Sequence, residues 1–139
     1  MKNLISTDTG ALILRVALGI VLLAHSLYLK MMIFSLAGTA DFFVSIGLPA
    51  ILAYGVFILE VVAGTALILG LYSRLFAASV TPVLLGATWV HASNGWLFSN
   101  SGGGWEYPLF LFFMAIVQIT LGDGKYSLRR YYLSQQTTA

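Results

Sequence analysis

The chain has 139 residues, of which 59 % are hydrophobic and only 9 % are charged, and its mean hydropathy is +0.91. A soluble domain carries about 25 % charged residues, so this composition excludes an ordinary water-soluble globule and indicates an integral membrane protein. The seven basic residues are scattered, which argues against a nucleic-acid partner. There is no cysteine, so the chain itself carries no disulfide, thiolate metal site or thiol relay.

Four apolar runs occupy most of the chain, and each is close to the 20 or so residues that a membrane-spanning helix needs. They cover residues 10–29, 49–71, 75–98 and 105–121. Lipid would leave the edge of an open sheet without hydrogen-bond partners, so the runs favour helices. The sequence predicts an all-α fold, a four-transmembrane-helix bundle that forms a single transmembrane domain over residues 1–139.

The segments between the runs predict how the helices are connected. Residues 39–47 predict a short interfacial helix between the first and second spans, with Thr39 as its N-cap and Gly47 at its end. The second and third spans are separated only by residues 72–74, which makes them antiparallel neighbours. The simplest arrangement is therefore an up-down-up-down bundle.

The basic residues predict the orientation in the membrane. Four crossings place the N-terminus, the connection at residues 72–74 and the C-terminus on one side, together with five of the basic residues, whereas Lys30 lies on the other side. The positive-inside rule then predicts cytoplasmic N and C termini. We expect the first run to remain in the protein, because Arg15 and His25 interrupt it and no small-x-small cleavage site follows it. The five basic residues are Lys2, Arg74, Lys125, Arg129 and Arg130.

Four ionisable residues stand out inside the predicted spans, namely Arg15, His25, Glu60 and His91. Such residues are rare in membrane helices and normally face the bundle interior or a water-filled cavity. A helical rise of ~1.5 Å per residue places Arg15 at roughly 8 Å and Glu60 at roughly 14 Å from the cytoplasmic edge. An extended arginine can bridge that gap, and a lone carboxylate would be costly at this depth. The sequence therefore predicts a buried ion pair between Arg15 and Glu60.

A second polar group is predicted near the outer leaflet. The same helix counting places His25 and His91 at roughly 22 and 24 Å from the cytoplasmic edge. Asn94 shares a helix face with His91, and Lys30 and Glu106 lie at the outer ends of their helices. These five residues are the candidates for ligand binding. They could exchange protons with the carbonyl oxygen of a quinone, or they could form an interhelical hydrogen-bond network.

The same donors also raise the question of a metal. Two imidazoles and the Glu106 carboxylate suit zinc or copper, but no pair of ligands has metal-binding spacing on one helix. We therefore predict no metal site. The sequence assigns no catalytic residue, and a quinone is the one cofactor that it suggests.

A set of landmark residues extends along nearly the whole chain: residues 15–19, His25, Lys30, residues 47–49, Glu60, Gly64, Leu67, Gly70, Arg74, His91, residues 94–95, 103–108 and 122–128. Taken together, these landmarks resemble those of the DoxX family of small four-helix membrane proteins. The chain departs from the family pattern at Ser26, where glycine is common, and at Arg129, where aspartate is common.

The resemblance implies a multi-pass protein of a bacterial or archaeal plasma membrane. The family takes its name from a subunit linked to thiosulfate oxidation with quinone reduction, so the resemblance favours a redox-linked subunit without supplying a mechanism. It also implies functional roles for His25, Glu60, His91 and Glu106. Besides the lipid bilayer we expect a protein partner or a homo-oligomer. Two other interpretations stay open, a non-catalytic anchor or assembly partner of a soluble enzyme and a metal-handling membrane protein.

Overall fold

A computed structural model describes residues 6–136, and all regular secondary structure within that range is helical. The prediction of an all-α four-helix bundle is confirmed. Helix α1 covers Thr7–Leu23 and continues as a π-helical segment, Ala24–Ile33. It is followed by α2 (Leu36–Ser45), α3 (Ala50–Leu69), α4 (Ser73–His91), a 3₁₀ turn (Ala92–Asn94), α5 (Glu106–Leu121) and α6 (Leu128–Gln136).

Helices α1, α3, α4 and α5 form the bundle, and each packs against the next in that cyclic order, with α5 returning to α1. We call one end of the bundle the termini end, since it holds the starts of α1 and α4 and the ends of α3 and α5. The opposite end, which holds α2 and the loop at residues 95–105, is the loop end. The core between the helices includes Leu18, Leu22, Leu67, Val80, Leu84 and Leu111.

Three helices are long and apolar enough to cross a membrane, namely Thr7–Ile33, Ala50–Leu69 and Ser73–Asn94. Helix α5 has 16 residues, and at ~1.5 Å per residue it is about 24 Å long, somewhat less than the ~30 Å of a typical hydrocarbon core. In each of the three longer helices, only 17–33 % of the apolar 18-residue stretch is buried inside the chain. Most of their apolar surface faces outward, as in a multi-pass membrane protein.

The first helix is longer than the predicted span. It begins at Thr7 because the Ser6 hydroxyl accepts a hydrogen bond from the Thr9 backbone N–H at 3.3 Å, the usual arrangement of a serine N-cap. At its other end the N–H of Phe34 donates to the carbonyl of Leu29 at 2.9 Å, across five residues. This π-helical bonding carries no periodic sequence signal, so the sequence did not predict it.

The short helix predicted between the first two spans is present as α2, but it begins at Leu36. The Ser35 hydroxyl accepts from the N–H of Gly38 at 3.1 Å and is the N-cap. The prediction of Thr39 as the cap is wrong. Thr39 lies inside the helix and donates its hydroxyl to the Ser35 carbonyl at 2.9 Å. Gly47 follows the helix with φ +84°, the left-handed conformation that favours glycine at this position.

Helices α1 and α3 approach each other most closely at two glycines. A Cβ atom built on Gly19 would lie 2.6 Å from the carbonyl oxygen of Gly64, and one built on Gly64 would lie 3.0 Å from the carbonyl oxygen of Gly19. Small residues at such a crossing let two membrane helices pack backbone against backbone. This contact determines how the polar residues of α1 and α3 face each other.

Candidate functional site

The ion pair inside the bundle joins Lys30 to Glu60. Lys30 Nζ lies 2.9 and 2.7 Å from the two carboxylate oxygens, and the side chains are only 17 % and 6 % exposed. Helical side chains lean toward the N-terminus of their own helix. Helix α1 starts at the termini end, whereas α3 starts at the loop end. The side chain of Lys30 therefore leans toward the termini end and that of Glu60 leans toward the loop end, so the two charged groups meet.

The predicted ion pair between Arg15 and Glu60 is wrong. Arg15 is 1 % exposed, and its guanidinium donates to the carbonyls of Leu67 at 2.9 Å, Ile68 at 2.5 Å and Tyr126. It leans toward the termini end, where the last carbonyls of α3 lack intrahelical partners and form the negative end of the helix dipole. Leu67 is about 10 Å from Glu60 along the helix axis. Counting residues along each helix estimated the depth of Arg15 and Glu60 in the membrane. It did not show toward which end of the bundle the arginine side chain extends.

His25 belongs to the same group as Lys30 and Glu60. It lies near Glu60, and its ring stacks on that of Tyr107 with centroids 6.1 Å apart and planes inclined by 23°. Its Nδ1 lies 2.9 Å from the Val21 carbonyl, which can only accept, so Nδ1 carries a proton. Nε2 has no hydrogen-bond partner within residues 6–136 and is available to a ligand.

The π-helical segment explains how His25 and Lys30 both reach Glu60. In an α-helix, residues five apart are separated by roughly 140° around the axis, at about 100° per residue. A π-helix bonds residues five apart, which brings both side chains nearly onto one face. π-Helical segments are rare in proteins, and those that do occur are often found at functional sites. This one is the part of the site that sequence reasoning missed.

His91 and Asn94 lie at the loop end on α4 and the turn after it. His91 Nδ1 is 2.8 Å from the Ala87 carbonyl, so it carries a proton like its counterpart in His25. The ring lies against Gly103, where an added Cβ atom would be 3.3 Å from His91 Cδ2. The Asn94 side-chain amide donates to the carbonyls of Gly102 and Gly103 at 3.1 and 2.9 Å. Asn94 therefore holds the loop that contacts His91.

Glu106 and Lys30, two of the predicted candidates for ligand binding, have partners of their own. The Glu106 carboxylate accepts from the backbone N–H of Phe98 at 2.9 Å, and its own N–H donates to the Trp96 carbonyl at 3.2 Å. Glu106 therefore ties the start of α5 to the preceding loop. Lys30 is bound to Glu60 through both carboxylate oxygens.

The two histidines approach one short stretch of chain from different helices. His25 stacks on Tyr107 in the first turn of α5, and His91 lies against Gly103, four residues earlier. The two imidazoles thus contact residues only four positions apart, with His91 against the loop before α5 and His25 against the first turn of that helix. A single cavity shared by both rings, with Glu106 or Asn94 at its rim, stays a prediction.

The donor atoms of this region do not converge on a metal site. Within residues 6–136, no group of three or more histidine, aspartate and glutamate side chains is placed to hold a metal ion. The carboxylate of Glu60 already binds Lys30 through both of its oxygens. The metal-handling interpretation therefore has no donor set in this part of the chain.

A polar cluster at the termini end was also missed. Asp123 accepts from the Ser73 backbone N–H at 2.6 Å, at the start of α4, and binds Arg129 at 3.1 Å. Burial alone would raise the pKa of the Asp123 carboxyl, but the hydrogen bonds from Ser73 and Arg129 lower that pKa below its ordinary value. The glycines on either side of Asp123 indicated a turn in the sequence. Which helix start the carboxylate would cap depended on the fold.

Comparison with known proteins adds a family and one relative. The profile of the DoxX family matches residues 10–93, which are more than half of the chain and include His25, Lys30, Glu60 and His91. A Bacillus subtilis (strain 168) protein named "Putative oxidoreductase CatD" is 35 % identical over 82 residues. The aligned stretch covers 59 % of this chain and 59 % of the relative. No solved structure matches.

Proposed function

Because this chain belongs to the DoxX family, we propose that it is a redox-linked membrane subunit that binds a quinone or a similar small lipophile near the loop end of the bundle. The related protein's name associates this kind of chain with oxidoreductases. The observation that carries the proposal is the group formed inside the bundle by His25 and Lys30 of the π-helical segment and Glu60 of α3. Ionisable groups in membrane helices are costly, so a group of three beside an aromatic ring favours a ligand site over simple packing.

The chemistry of the group suits a ligand with carbonyl oxygens. His25 Nε2 accepts a hydrogen bond when the ring is neutral and donates one when the ring is protonated, and histidine changes state near neutral pH. Tyr107 adds a flat aromatic surface beside it. The Lys30–Glu60 pair adds an ammonium and a carboxylate group near the ring. His91, which lies against Gly103 in the loop before α5, is the second candidate donor to the same ligand.

We propose that a protein partner supplies the electrons. The chain has no cysteine for a thiol relay. Reduction of a quinone to a quinol needs two electrons and two protons, and the histidines and the Lys30–Glu60 pair can hold or pass only protons. The apolar outer surface of the bundle leaves room for a partner subunit or a second copy of the chain within the bilayer.

The orientation and the membrane are part of the same proposal. Among the described residues, the termini end carries Arg74, Lys125, Arg129 and Arg130, whereas the loop end carries Lys30, which is paired with Glu60. Lys2, which also entered the prediction, lies outside the described residues. The positive-inside rule then favours cytoplasmic termini in a bacterial or archaeal plasma membrane, with the histidines in the outer half.

The experiment is a thermal-shift titration of the full chain in detergent with a short-chain quinone analogue, together with extraction of any lipophile that co-purifies. Binding to the folded state raises the melting temperature by mass action. We expect His25→Phe, which keeps the ring but removes both nitrogens, and His91→Ala to abolish the shift while the unliganded protein stays folded. Tyr28→Phe is the matched control, because Tyr28 lies on the same π-helical segment but is 56 % exposed.

One result would refute the quinone site. If the analogue shifts the melting temperature of a His25→Phe/His91→Ala double variant as much as that of the parent, neither histidine binds it. The non-catalytic anchor would then be the better interpretation of the family membership.

A further inference from the structure

A groove of about 880 Å³ opens at the termini end, between α6, the start of α4 and the end of α5. Three arginines line it, Arg74 from α4 and Arg129 and Arg130 from α6. Apolar side chains lie among them, including Leu75, Leu121 and Leu133. The groove is remote from the His25 group, which lies toward the loop end.

Two of the three guanidinium groups keep most of their hydrogen-bond donors available. Arg74 makes one long bond, of 3.4 Å to the Thr120 carbonyl, and the Arg130 side chain makes none to any residue between 6 and 136. Arg129 is more occupied, because it binds Asp123 and lies 4.4 Å above the centre of the Tyr72 ring. A guanidinium carries five N–H donors in a fixed fork.

Two carboxylates also line the groove, but both have local partners. Asp8 accepts from the backbone N–H of Lys125 at 2.8 Å, and Asp123 accepts from Ser73 and Arg129. They hold the connection after α5 and the start of α4 in place. The lining therefore keeps an excess of positive charge, with the unused donors on Arg74 and Arg130.

The position of the groove matches the headgroup layer of a bilayer. It lies where the apolar helix α4 starts and the apolar helix α5 ends, and α6 beside it exposes Tyr131, Tyr132 and Leu133. Tyrosine is enriched at membrane–water interfaces, and a short helix with exposed aromatic and basic residues is typical of a segment that lies along the membrane surface.

From these observations we propose that the groove binds the headgroup of an acidic phospholipid. Arg74 and Arg130 bind the phosphate oxygens, since a guanidinium matches phosphate geometry with two parallel N–H donors. Leu75, Leu121 and Leu133 contact the first carbons of the acyl chains. A free phosphate ion would leave this apolar lining unused, so the lining favours a lipid as the source of the anion.

The test uses the full chain, delipidated in a mild detergent, with phosphatidylglycerol or phosphatidylcholine added. Lipid retention is measured by native mass spectrometry and stabilisation by the melting temperature. We expect phosphatidylglycerol to be retained and to raise the melting temperature more than phosphatidylcholine does. In Arg74→Gln/Arg130→Gln, binding of phosphatidylglycerol should weaken by about tenfold or more, because hydrogen bonds to charged groups are lost.

Two further variants separate lost binding from lost folding. The Arg130→Gln single variant removes no hydrogen bond within the described part of the chain, so it should fold even if the double variant does not. Its affinity for phosphatidylglycerol should also fall. Lys125→Gln removes a positive charge from the same end but not from the groove lining, and it should bind like the parent.

Three results would overturn the proposal. Equal retention of both lipids would mean that the groove does not select an anionic headgroup. Unchanged affinity in the arginine variants would mean that acidic lipid binds elsewhere. Stabilisation by inorganic phosphate equal to that by phosphatidylglycerol would identify a site for a soluble anion.

Discussion

Lys30 and Glu60 show how an ion pair can persist within a membrane helix bundle. Two buried charges lose their hydration, and their mutual attraction compensates only when the geometry is good and the polar atoms are satisfied. Here one ammonium group contacts both carboxylate oxygens, at 2.9 and 2.7 Å. Removal of one partner would leave the other charge buried and unpaired.

We expect Glu60→Gln and Lys30→Gln each to lower the free energy of unfolding by about 3 kcal/mol, because each leaves an uncompensated charge. The double variant should lose less than the sum of the two single losses, since it leaves no charge behind. Equilibrium unfolding in detergent micelles measures all three values. Full additivity would contradict the contact between the two side chains.

The matched control combines Arg15→Gln with Glu60→Gln. These residues bind different partners, about 10 Å apart along α3, so their effects should add to within about 0.5 kcal/mol. Arg15→Gln should itself destabilise the protein, because the carbonyls of Leu67 and Ile68 lose their donor. A coupling between Arg15 and Glu60 as large as that of the Lys30 pair would instead favour the ion pair that the sequence predicted.

At the scale of elements, the contact between α1 and α3 depends on two facing glycines. Gly19→Ala would place a methyl group 2.6 Å from the Gly64 carbonyl oxygen, so the helices must move apart. Overpacking of this kind costs about 1–3 kcal/mol. We expect the melting temperature of Gly19→Ala to fall, measured in detergent by circular dichroism.

Two other helical glycines provide controls for this change. Gly55 in α3 and Gly86 in α4 have nothing within 4 Å of an added Cβ atom. Alanine at either site should leave the melting temperature unchanged or slightly higher, because alanine favours a helix over glycine. Equal destabilisation by all three substitutions would mean that the loss is not caused by close helix packing.

The start of α4 depends on the ionised carboxylate of Asp123. The pKa of Asp123 is lowered in the folded protein by its hydrogen bonds from Ser73 and Arg129, so its charge adds stability above the ordinary value of about 4. That contribution is lost as the pH falls through the lowered pKa of the folded state. Acid should therefore weaken the hold of the carboxylate on α4.

Asp123→Asn keeps an oxygen acceptor but removes the charge. At pH 7 we expect it to be less stable than the parent by about 1 kcal/mol, the scale of a helix-terminus charge and a partly exposed ion pair. The difference should begin to shrink as the pH falls below about 4 and should vanish only below the lowered pKa of Asp123 in the folded state. Melting curves from pH 7 to 3 measure it, with Asp41→Asn as the control for an exposed aspartate. A difference that does not depend on pH would contradict a role for the charge.

In the whole molecule, one buried side chain connects three parts of the termini end. Arg15 extends from α1 to the last carbonyls of α3 and to Tyr126, between α5 and α6. Gly70 makes room for this contact: with φ +71° it turns the chain at the end of α3, and an added Cβ atom would lie 2.9 Å from Arg15 Cζ. The arginine thus closes the bundle at the end where the basic groove lies.

The orientation of the whole chain can be tested with reporter fusions. Because the basic residues concentrate at the termini end, fusions after Tyr72 and at the C-terminus should report the cytoplasm. A fusion within residues 100–104 should report the outside. Reversed signals would place the His25 group in the cytoplasmic half of the membrane and would contradict the proposed outer-leaflet site.

The sequence alone was sufficient for the helical architecture. Apolar runs of membrane-spanning length permit little except helices, because lipid offers no hydrogen-bond partner to an unpaired backbone. The end of the short helix at Gly47 was also predictable from local sequence, because glycine readily adopts the left-handed conformation that it has there. The family could be recognised because its landmark residues lie at fixed positions along the chain.

Tertiary structure decided which polar residues meet. Lys30 rather than Arg15 reaches Glu60, since α1 and α3 run in opposite directions and each side chain leans toward the start of its own helix. The π-helical segment that turns His25 and Lys30 onto one face has no period that a sequence pattern could reveal. Asp123 accepts its hydrogen bond at the start of α4 only because the packed bundle brings the two segments together. These contacts depend on helix direction, rotation and packing, which the spacing of residues along one helix does not specify.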